Sequence, residues 1–129
     1  MKNLMILVVD DNLVSRLLPG FILRSTHPNV TVHECESGEE SLKIISSHYV
    51  THLLLDISMP GLDGIQVAKF IREKSKFKDI CLIAYTADSL MADSQYYKSL
   101  GFDSILLKPL NRTELFNALN LKEQIDRFD

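Results

Sequence analysis

The sequence has few of the features that would tie it to a membrane, an oxidising compartment or nucleic acid. It has two cysteines, Cys35 and Cys81, which stand alone in strand-like runs and form no Cys-x-x-Cys pair. We therefore expect reduced, buried thiols in a cytosolic protein. Fourteen basic and seventeen acidic side chains leave a net charge of -3, which offers nucleic acid no basic surface.

No apolar stretch is long enough to span a bilayer. The apolar run at residues 4–9 imitates a signal peptide, but it is short, ends in Asp10-Asp11 and lacks a small-residue cleavage site. We therefore expect no membrane association. With 129 residues, the chain is long enough to form one domain with a sizeable core.

Five apolar runs alternate with five helical patterns along the chain. The runs cover residues 4–9, 30–35, 52–55, 80–85 and 104–107, and the helical patterns begin near residues 13, 38, 64, 89 and 112. This alternation predicts a parallel sheet with helices on both faces. Pro19-Gly20 lies inside the first helical pattern, where proline removes a hydrogen bond, so we expect a kink or a break there.

Several residues mark the ends of the predicted helices. Ser37 to Glu40 and Asn111 to Glu114 have the spacing of capping boxes. Gly101 is expected to end the fourth helix, which we place at residues 89–100. The last helix is expected to run on through Leu119 and Ile125, which continue its apolar stripe.

The most informative stretch is the third apolar run, in which three leucines are followed at once by Asp56. Such a run predicts a strand buried on both faces in the middle of a parallel sheet. Pro60-Gly61 and Asp63-Gly64 then predict a turn before the next helix. Ligands bind at the carboxyl ends of the strands in open α/β sheets. Asp56 is therefore a leading candidate for a functional residue.

Polar residues also follow the other strands: Asp10 and Asp11 the first, Thr86 the fourth and Lys108 the fifth. These strand ends share one edge of a doubly wound sheet, so the side chains can converge. Three carboxylates together raise one another's pKa, and a hard divalent cation such as Mg²⁺ relieves the repulsion. One of the carboxylates can then attack phosphorus and become an aspartyl phosphate, while Lys108 and Thr86 are the residue types that supply a counter-charge and a hydroxyl donor.

Four segments that each close an apolar strand carry a resemblance to a known family. They are Val8-Val9-Asp10-Asp11-Asn12, Leu54-Leu55-Asp56-Ile57-Ser58-Met59-Pro60-Gly61-Leu62-Asp63-Gly64, Tyr85-Thr86-Ala87 and Lys108-Pro109. On these segments, the chain resembles the receiver domain of bacterial two-component response regulators over essentially its whole length. The resemblance implies a flavodoxin-like, doubly wound α/β fold whose five parallel strands lie in the order 2-1-3-4-5, with five helices. It also implies a single receiver domain over residues 1–129, and we expect no output domain in this chain.

The resemblance implies a role for each residue that would face a phosphoryl group. Asp56 looks like the phosphoacceptor, and Thr86 looks like the switch hydroxyl. The backbone amide of Ala87 looks like an added phosphoryl donor. Lys108 looks like the lysine that contacts the phosphoryl group, and a cis peptide to Pro109 is expected after it.

The resemblance also implies a metal site. Mg²⁺, or Mn²⁺ in its place, would be bound by Asp11, Asp56 and the backbone carbonyl of Ser58, and by Asp10 largely through water. The donors are oxygen atoms, which is the ligand type that Mg²⁺ prefers.

The function implied is a phosphorylation-dependent signalling switch in a two-component phosphorelay of the bacterial cytoplasm. Its partners would be a histidine kinase or phosphotransfer protein, and a downstream protein target on the face of the fourth helix, fifth strand and fifth helix. Such a protein assists its own phosphorylation and is not a turnover enzyme. One position departs from the family: Ile105 stands three residues before the lysine, where an aromatic residue is usual, so we expect no aromatic rotamer switch.

Other interpretations remain open from the sequence. Asp10, Asp11 and Asn12 are good N-cap residues, Thr86 suits a turn, and Lys108 could be a solvated lysine. The chain could be a receiver-like interaction module that is not phosphorylated. A cofactor-binding flavodoxin-like protein is disfavoured because no glycine-rich loop follows the first strand. A phosphatase resembling haloacid dehalogenases would need an acid at position 58, where this chain has serine.

Overall fold

The computed structural model describes residues 3–88 and 94–123, and these contain five strands and five α-helices in alternation. The strands are β1 (Met5–Val9), β2 (Thr31–Cys35), β3 (His52–Asp56), β4 (Cys81–Thr86) and β5 (Ser104–Leu107). The helices are α1 (Leu13–Thr26), α2 (Gly38–Ser47), α3 (Gly64–Arg72), α4 (Ser94–Ser99) and α5 (Arg112–Ala118), with a 3₁₀ turn at Ser75–Phe77. Within the described residues, no helix has the length and apolar character needed to cross a bilayer.

All strand pairs are parallel, and the strands lie in the order β2-β1-β3-β4-β5. This confirms the predicted fold and strand order. Central strands of such a sheet are covered on both faces, which is why β1 and β3 consist almost wholly of buried aliphatic residues. The register places Asp56 beside Tyr85, and Thr86 beside Leu107.

The alternation of side chains along β3 divides the core into two layers. Leu53 and Leu55 pack with residues of α2, α3 and α4, including Ile45, Val67 and Tyr97. Leu54 faces the opposite side, where it packs with Leu23 of α1, with Leu115 and Phe116 of α5, and with Leu119 directly after α5. The sheet is therefore packed on both faces, and this packing positions the loops at its carboxyl edge.

The helix α1 continues through Pro19, so the expected break is not present. Pro19 and Gly20 are both buried. Proline removes only the hydrogen bond that its own N–H would donate, and most of the stability of a helix comes from packing of its apolar face. Burial of this part of α1 against the sheet therefore outweighs the local preference.

The expected end of the last helix is wrong, since α5 stops at Ala118 and does not run on through Leu119. Asn120 has a φ of 56°, in the left-handed region that asparagine tolerates better than most residues. The Leu121 N–H donates to the Phe116 carbonyl at 2.8 Å, which closes a Schellman motif. Ile125 lies outside the described residues.

The helix α4 ends where the sequence predicts. Gly101 has a φ of 102°, and the Phe102 N–H donates to the Tyr97 carbonyl at 3.1 Å. This is again a Schellman end, which requires a left-handed residue and favours glycine. The first half of the predicted helix, residues 89–93, lies outside the described residues.

The predicted capping box of α2 is only half formed. Ser37 Oγ accepts from the Glu40 N–H at 3.1 Å, but Glu40 Oε1 accepts from the Glu36 N–H at 3.0 Å and not from Ser37. A complete capping box, which was not predicted from the sequence, begins α3. The Gln66 N–H donates to Asp63 Oδ1, and the Asp63 N–H donates to Gln66 Oε1, both at 2.9 Å. This box fixes the loop between Asp56 and α3.

Candidate functional site

Asp10 follows the last residue of β1 and is completely buried. Its Oδ1 accepts from the Asn12 N–H at 2.9 Å, and its Oδ2 lies 2.7 Å from Lys108 Nζ. The N-cap of α1 is Asn12, whose side chain accepts from the Ser15 N–H at 3.0 Å. The amide therefore begins the helix, and neither of the two preceding acids is used for that purpose.

Asp56 is the last residue of β3 and is 5% exposed. Its Oδ1 accepts from the Ser58 N–H at 3.2 Å and lies 3.7 Å from Lys108 Nζ. Burial and the nearby charge of Asp10 raise the pKa of Asp56 to about 7, against the opposing effect of Lys108. One ammonium group therefore does not neutralise the carboxylates around it.

Lys108 and Thr86 close the pocket from the last two strands. The Lys108 N–H donates to the Thr86 carbonyl at 2.8 Å, and the bond from Lys108 to Pro109 is cis, as the resemblance implies. The Lys108 side chain is only 16% exposed and is shared by two carboxylates, so it is not an ordinary solvated lysine. Thr86 is buried, and its Oγ1 accepts from the Asp88 N–H at 3.1 Å.

These side chains surround one cavity of about 290 Å³ at the carboxyl edge of the sheet. It is lined by Asp10, Asp11, Asn12, Asp56, Ser58, Thr86, Ala87, Asp88 and Lys108. Every residue for which the sequence suggests a site role is among them. The structure brings these residues together, while the role of each stays a prediction.

The donor set of the cavity fits a hard divalent cation. One carboxylate oxygen from each of Asp10, Asp11 and Asp56 lies within 4.8 Å of the others, and Asp11 is exposed. Asp10 Oδ2 is buried and accepts no hydrogen bond of regular geometry, so Lys108 is its charged partner. Clustered carboxylate oxygens that lack sufficient cationic partners are what Mg²⁺ requires.

Two residues that support the site were not identified from the sequence. Gly64 begins α3, and a Cβ atom built on it would lie 2.3 Å from the carbonyl oxygen of Asp56. Tyr85 is buried, and its ring centroid lies 4.8 Å from Lys108 Nζ. Gly64 could be read from the sequence only as a turn residue. The contact of Tyr85 with Lys108 depends on the register between β4 and β5, which the sequence does not show.

An exposed apolar stripe on α1 begins beside the cavity. Leu13, Val14, Leu17 and Phe21 are 58%, 68%, 45% and 75% exposed. The helix starts directly after Asp11 and Asn12 of the pocket and carries the stripe about 12 Å away from it. Contiguous exposed apolar side chains are typical of sites that bind proteins, membranes or ligands.

A second surface feature is a groove of about 570 Å³ between α4, β5 and α5. Its lining includes Lys98, Ile105, Glu114 and Asn117. Ile105 is half-buried and lies beside Ala84 in the register of β4 and β5. Since side chains alternate along β4, Ile105 lies on the face of the sheet toward which Thr86 also points.

Comparison with known proteins identifies similar sequences and folds. A family model described as the response regulator receiver domain matches residues 6–120. Stress response regulator protein 1 of the yeast Debaryomyces hansenii is 35% identical over 105 residues, which are 81% of this chain and 43% of that protein. The chain therefore spans less than half the length of this relative.

Two solved structures illustrate the similarity in fold. The receiver domain of a sensor histidine kinase from Pseudomonas aeruginosa, solved with a magnesium ion in its active-site cleft, has 28% identity and a TM-score of 0.79. The alignment covers 92% of this chain and 96% of that domain. A chemotaxis response regulator of Vibrio cholerae has 24% identity and a TM-score of 0.81, covering 92% and 98% of the two chains, and shows the fold alone.

Proposed function

The chain belongs to the response regulator receiver domain family, and on that premise we propose that it is a phosphorylation-dependent switch which accepts a phosphoryl group on Asp56. The observation that carries the proposal is the pair of buried carboxylates, Asp10 and Asp56, that share the single ammonium group of Lys108. Burying this much negative charge destabilises the fold unless a ligand compensates it. A divalent cation bound beside the carboxylates provides that compensation.

In the proposed reaction, a carboxylate oxygen of Asp56 attacks phosphorus and forms a P–O bond. The bond from phosphorus to the donor breaks, and the donor's leaving group (the imidazole nitrogen of a phosphohistidine) takes a proton from solvent. The Lys108 ammonium lies 3.7 Å from Asp56 Oδ1, close enough to pair with a phosphoryl oxygen. The Thr86 hydroxyl and the Ala87 amide at the rim of the cavity would donate to the other oxygens.

We propose that Asp11 and Asp56, with the Ser58 carbonyl and with Asp10 largely through water, bind Mg²⁺ or Mn²⁺. The bound cation supplies charge neutralisation at the attacked phosphoryl group. The chain's own contribution is to hold the three acids within reach of one another at the edge of the sheet. Neutralising the charge of the cluster also restores the ionised form of Asp56, which is the nucleophilic form.

We propose a histidine kinase or a phosphotransfer protein as the phosphoryl donor, with the α1 stripe as its docking surface. Leu17 and Phe21 are exposed apolar side chains that begin within two helical turns of the pocket. A donor that packs an apolar helix face on this stripe would bring its phosphohistidine to the cavity rim. The stripe therefore serves transfer from a protein and has no part in transfer from a small molecule.

The downstream partner is proposed to bind the groove between α4, β5 and α5, and the place of action is proposed to be the cytoplasm. The chain acts as one receiver domain and as a signalling protein, not as a turnover enzyme. A bacterial source stays a prediction, since similar proteins come from yeast as well as from bacteria. An unphosphorylated interaction module is the second candidate, because Ile105 replaces the usual aromatic residue beside this groove.

Phosphorylation of the purified protein with a small phosphodonor and Mg²⁺ tests the proposal. We expect an acid-stable, base-labile adduct on Asp56 that is absent from Asp56→Asn and present in Asp79→Asn, whose exposed carboxylate lies at the opposite edge of the sheet. A label that persists in Asp56→Asn, or that maps to Ser58, contradicts the proposal. The absence of any adduct in the wild type would favour the unphosphorylated module.

A second experiment tests the docking surface. Leu17→Ser with Phe21→Ser should slow transfer from a phosphorylated donor protein at least about tenfold, because two exposed apolar contacts are lost. Transfer from a small phosphodonor should stay within about twofold of the wild type. Phe70→Ser on α3 removes a ring that is 42% exposed and is the matched control. Equal slowing by the control would place the docking surface elsewhere.

A further inference from the structure

We propose that Tyr85 is a positioning residue for the phosphorylation reaction: the face of its ring holds the Lys108 ammonium over the pocket. The proposal rests on the function proposed above and assigns a task to a residue outside the lining of the cavity. Lys108 Nζ lies 4.8 Å from the ring centroid of Tyr85, within the range of a cation–π interaction. Tyr85 is 1% exposed, so the interaction is shielded from water.

The register of the sheet explains this contact. Tyr85 is the register partner of Asp56, so the two side chains lie side by side on one face of the sheet. Leu106 is the register partner of Tyr85 on the other side, and Lys108 follows Leu106 by two residues and points to the same face. Strand geometry therefore places the Tyr85 ring beside Lys108, whose ammonium lies over the face of the ring.

The ring differs from the other two partners of the Lys108 ammonium. Asp10 Oδ2 at 2.7 Å and Asp56 Oδ1 at 3.7 Å are both groups that a bound cation or a phosphoryl group would engage. When they are engaged, their hold on the ammonium weakens. The Tyr85 ring belongs to the core cluster that includes Leu54, Ile83 and Leu106, and it does not change partners. Of these three groups, the ring therefore holds the ammonium through the whole reaction.

The chemical state of Tyr85 suits this task. Burial and the charges of Asp10 and Asp56 raise the pKa of Tyr85 to about 12, so the ring carries a neutral hydroxyl at physiological pH. An aromatic ring presents negative potential on its face, and tyrosine is among the better cation–π partners. An aliphatic residue of similar size would fill the same core space but would offer no attraction to the ammonium.

Fluorination of the ring at position 85 tests the attraction between the ring and the Lys108 ammonium without a large change in the shape of the side chain. The reference is Tyr85→Phe, and the probe is the same variant with a phenylalanine ring that carries three fluorine atoms, introduced by nonsense suppression. With a small phosphodonor and Mg²⁺, fluorination should slow phosphorylation about 3- to 10-fold, since it removes the negative potential of the ring face. In a Lys108→Ala background, the same fluorination should change the rate by less than about 1.5-fold, because the ring acts through the lysine. Equal slowing in both backgrounds overturns the proposal.

Nuclear magnetic resonance provides a readout that does not depend on phosphorylation. The ε-methylene protons of Lys108 should be shifted upfield by the ring current in the wild type and in Tyr85→Phe, and not in Tyr85→Leu. The shift should persist when Mg²⁺ and beryllofluoride are added, and its disappearance overturns the proposal. If the wild type takes up no phosphoryl group, the proposed function fails, and the Lys108 shift with and without Mg²⁺ still decides whether the ring holds the ammonium.

Discussion

The two ends of the sheet use charged residues in opposite ways. At the carboxyl end, Asp10 and Asp56 are buried with one cation between them, and the pKa of Asp56 is raised. At the amino end, Arg72 joins α3 to the starts of β4 and β5. Its guanidinium donates to the carbonyls of Lys78, Ile80 and Gly101 at 3.3, 2.9 and 2.8 Å.

Arg72 also forms an ion pair with Asp103 at 2.8 Å, and Asp103 Oδ2 accepts in addition from the Leu82 N–H at 2.8 Å. Arg72 and Asp103 therefore each have a partner of opposite sign and further hydrogen bonds. The carboxyl end lacks such balance, although its acids are more deeply buried. Burial of charges without enough partners of opposite sign destabilises a protein and is retained where a ligand compensates the charge. The ion pair of Arg72 and Asp103, in contrast, stabilises the fold.

The largest effect is expected from removing an acid at the unbalanced end. Asp11→Ala should lower metal-dependent phosphorylation by about 100-fold or more, because Asp11 supplies one of the three clustered carboxylates. The side chain is exposed, so the fold and the free energy of unfolding should change little. Phosphorylation with a small phosphodonor and Mg²⁺ measures the loss, with Asp79→Ala as control. Undiminished phosphorylation of Asp11→Ala would refute the metal site.

Replacement of Arg72, whose charge is paired, should instead lower the free energy of unfolding. Arg72→Met keeps most of the aliphatic stem but removes three hydrogen bonds to backbone carbonyls and the ion pair with Asp103, so we expect a loss of about 2–4 kcal/mol in the free energy of unfolding. Below its melting temperature, the variant should still be phosphorylated. Denaturant unfolding measures the loss.

Arg24→Met is the matched control for this prediction. Arg24 also donates to a backbone carbonyl, that of Val32, and forms an ion pair with Glu34, but its side chain is 54% exposed. Its removal should cost less than about 1 kcal/mol. If Arg72→Met costs no more than Arg24→Met, the amino end is not the stabilising element that its geometry indicates.

The charge imbalance should also be visible as a dependence of stability on pH. Asp56 in the folded, metal-free protein binds its proton up to about pH 7, while the unfolded chain releases it near about pH 4. Between these values the unfolded state binds fewer protons, so a rise in pH favours unfolding. We expect a loss of about 1–3 kcal/mol across this range in the presence of a chelator.

Denaturant unfolding at several pH values measures this loss. Asp56→Asn should remove it and should be more stable than the wild type at pH 8, whereas Asp79→Asn should retain the wild-type slope. Addition of Mg²⁺ should reduce the loss in the wild type and in Asp79→Asn, which both keep the three acids of the cluster. Equal slopes in the wild type and Asp56→Asn would assign the titration to another group.

The smallest expected effect concerns the coupling between phosphorylation at the carboxyl end of the sheet and partner binding at the groove between α4, β5 and α5. Ile105 is β-branched and stiff at χ1, so we expect a small difference in partner affinity between the two phosphorylation states, about 5-fold. Ile105→Tyr should widen this difference, because an aromatic ring has a larger excursion on the face shared with Thr86. Binding of a partner peptide with and without beryllofluoride measures it. A wild-type difference above about 100-fold, or a narrower difference in Ile105→Tyr, would contradict the mechanism.

The strand order and the meeting of the acids at one edge follow from local features of the sequence. Apolar runs such as 52–55 and the polar residues that end them are read directly, and parallel topology then brings them together. The end of α5 could not be read in this way, because Asn120 adopts a left-handed conformation while the apolar periodicity continues through Leu119. Periodicity reports which residues face the core and does not report where a backbone turns.

The supporting residues of the site escaped prediction for a different reason. Tyr85 lies on β4 and Lys108 directly follows the neighbouring strand β5, and their contact depends on a register that only the assembled sheet defines. The missed capping box of Asp63 and Gln66, by contrast, was visible in the spacing of those two residues. Local features such as a capping box can therefore be predicted from the sequence, whereas contacts between side chains of different strands cannot.

The close approach of Gly64 to the backbone of Asp56 limits the substitutions that the chain tolerates. A side chain at this position would meet the Asp56 carbonyl oxygen at 2.3 Å and the Ile57 Cα at 3.0 Å, both of them backbone atoms that cannot rotate away. In a saturation mutagenesis scan for signalling, we expect position 64 to tolerate no replacement, alanine included, although it does not line the cavity. A map of intolerant positions would thus include Gly64, which does not line the cavity. The requirement at this position is that the residue has no Cβ atom.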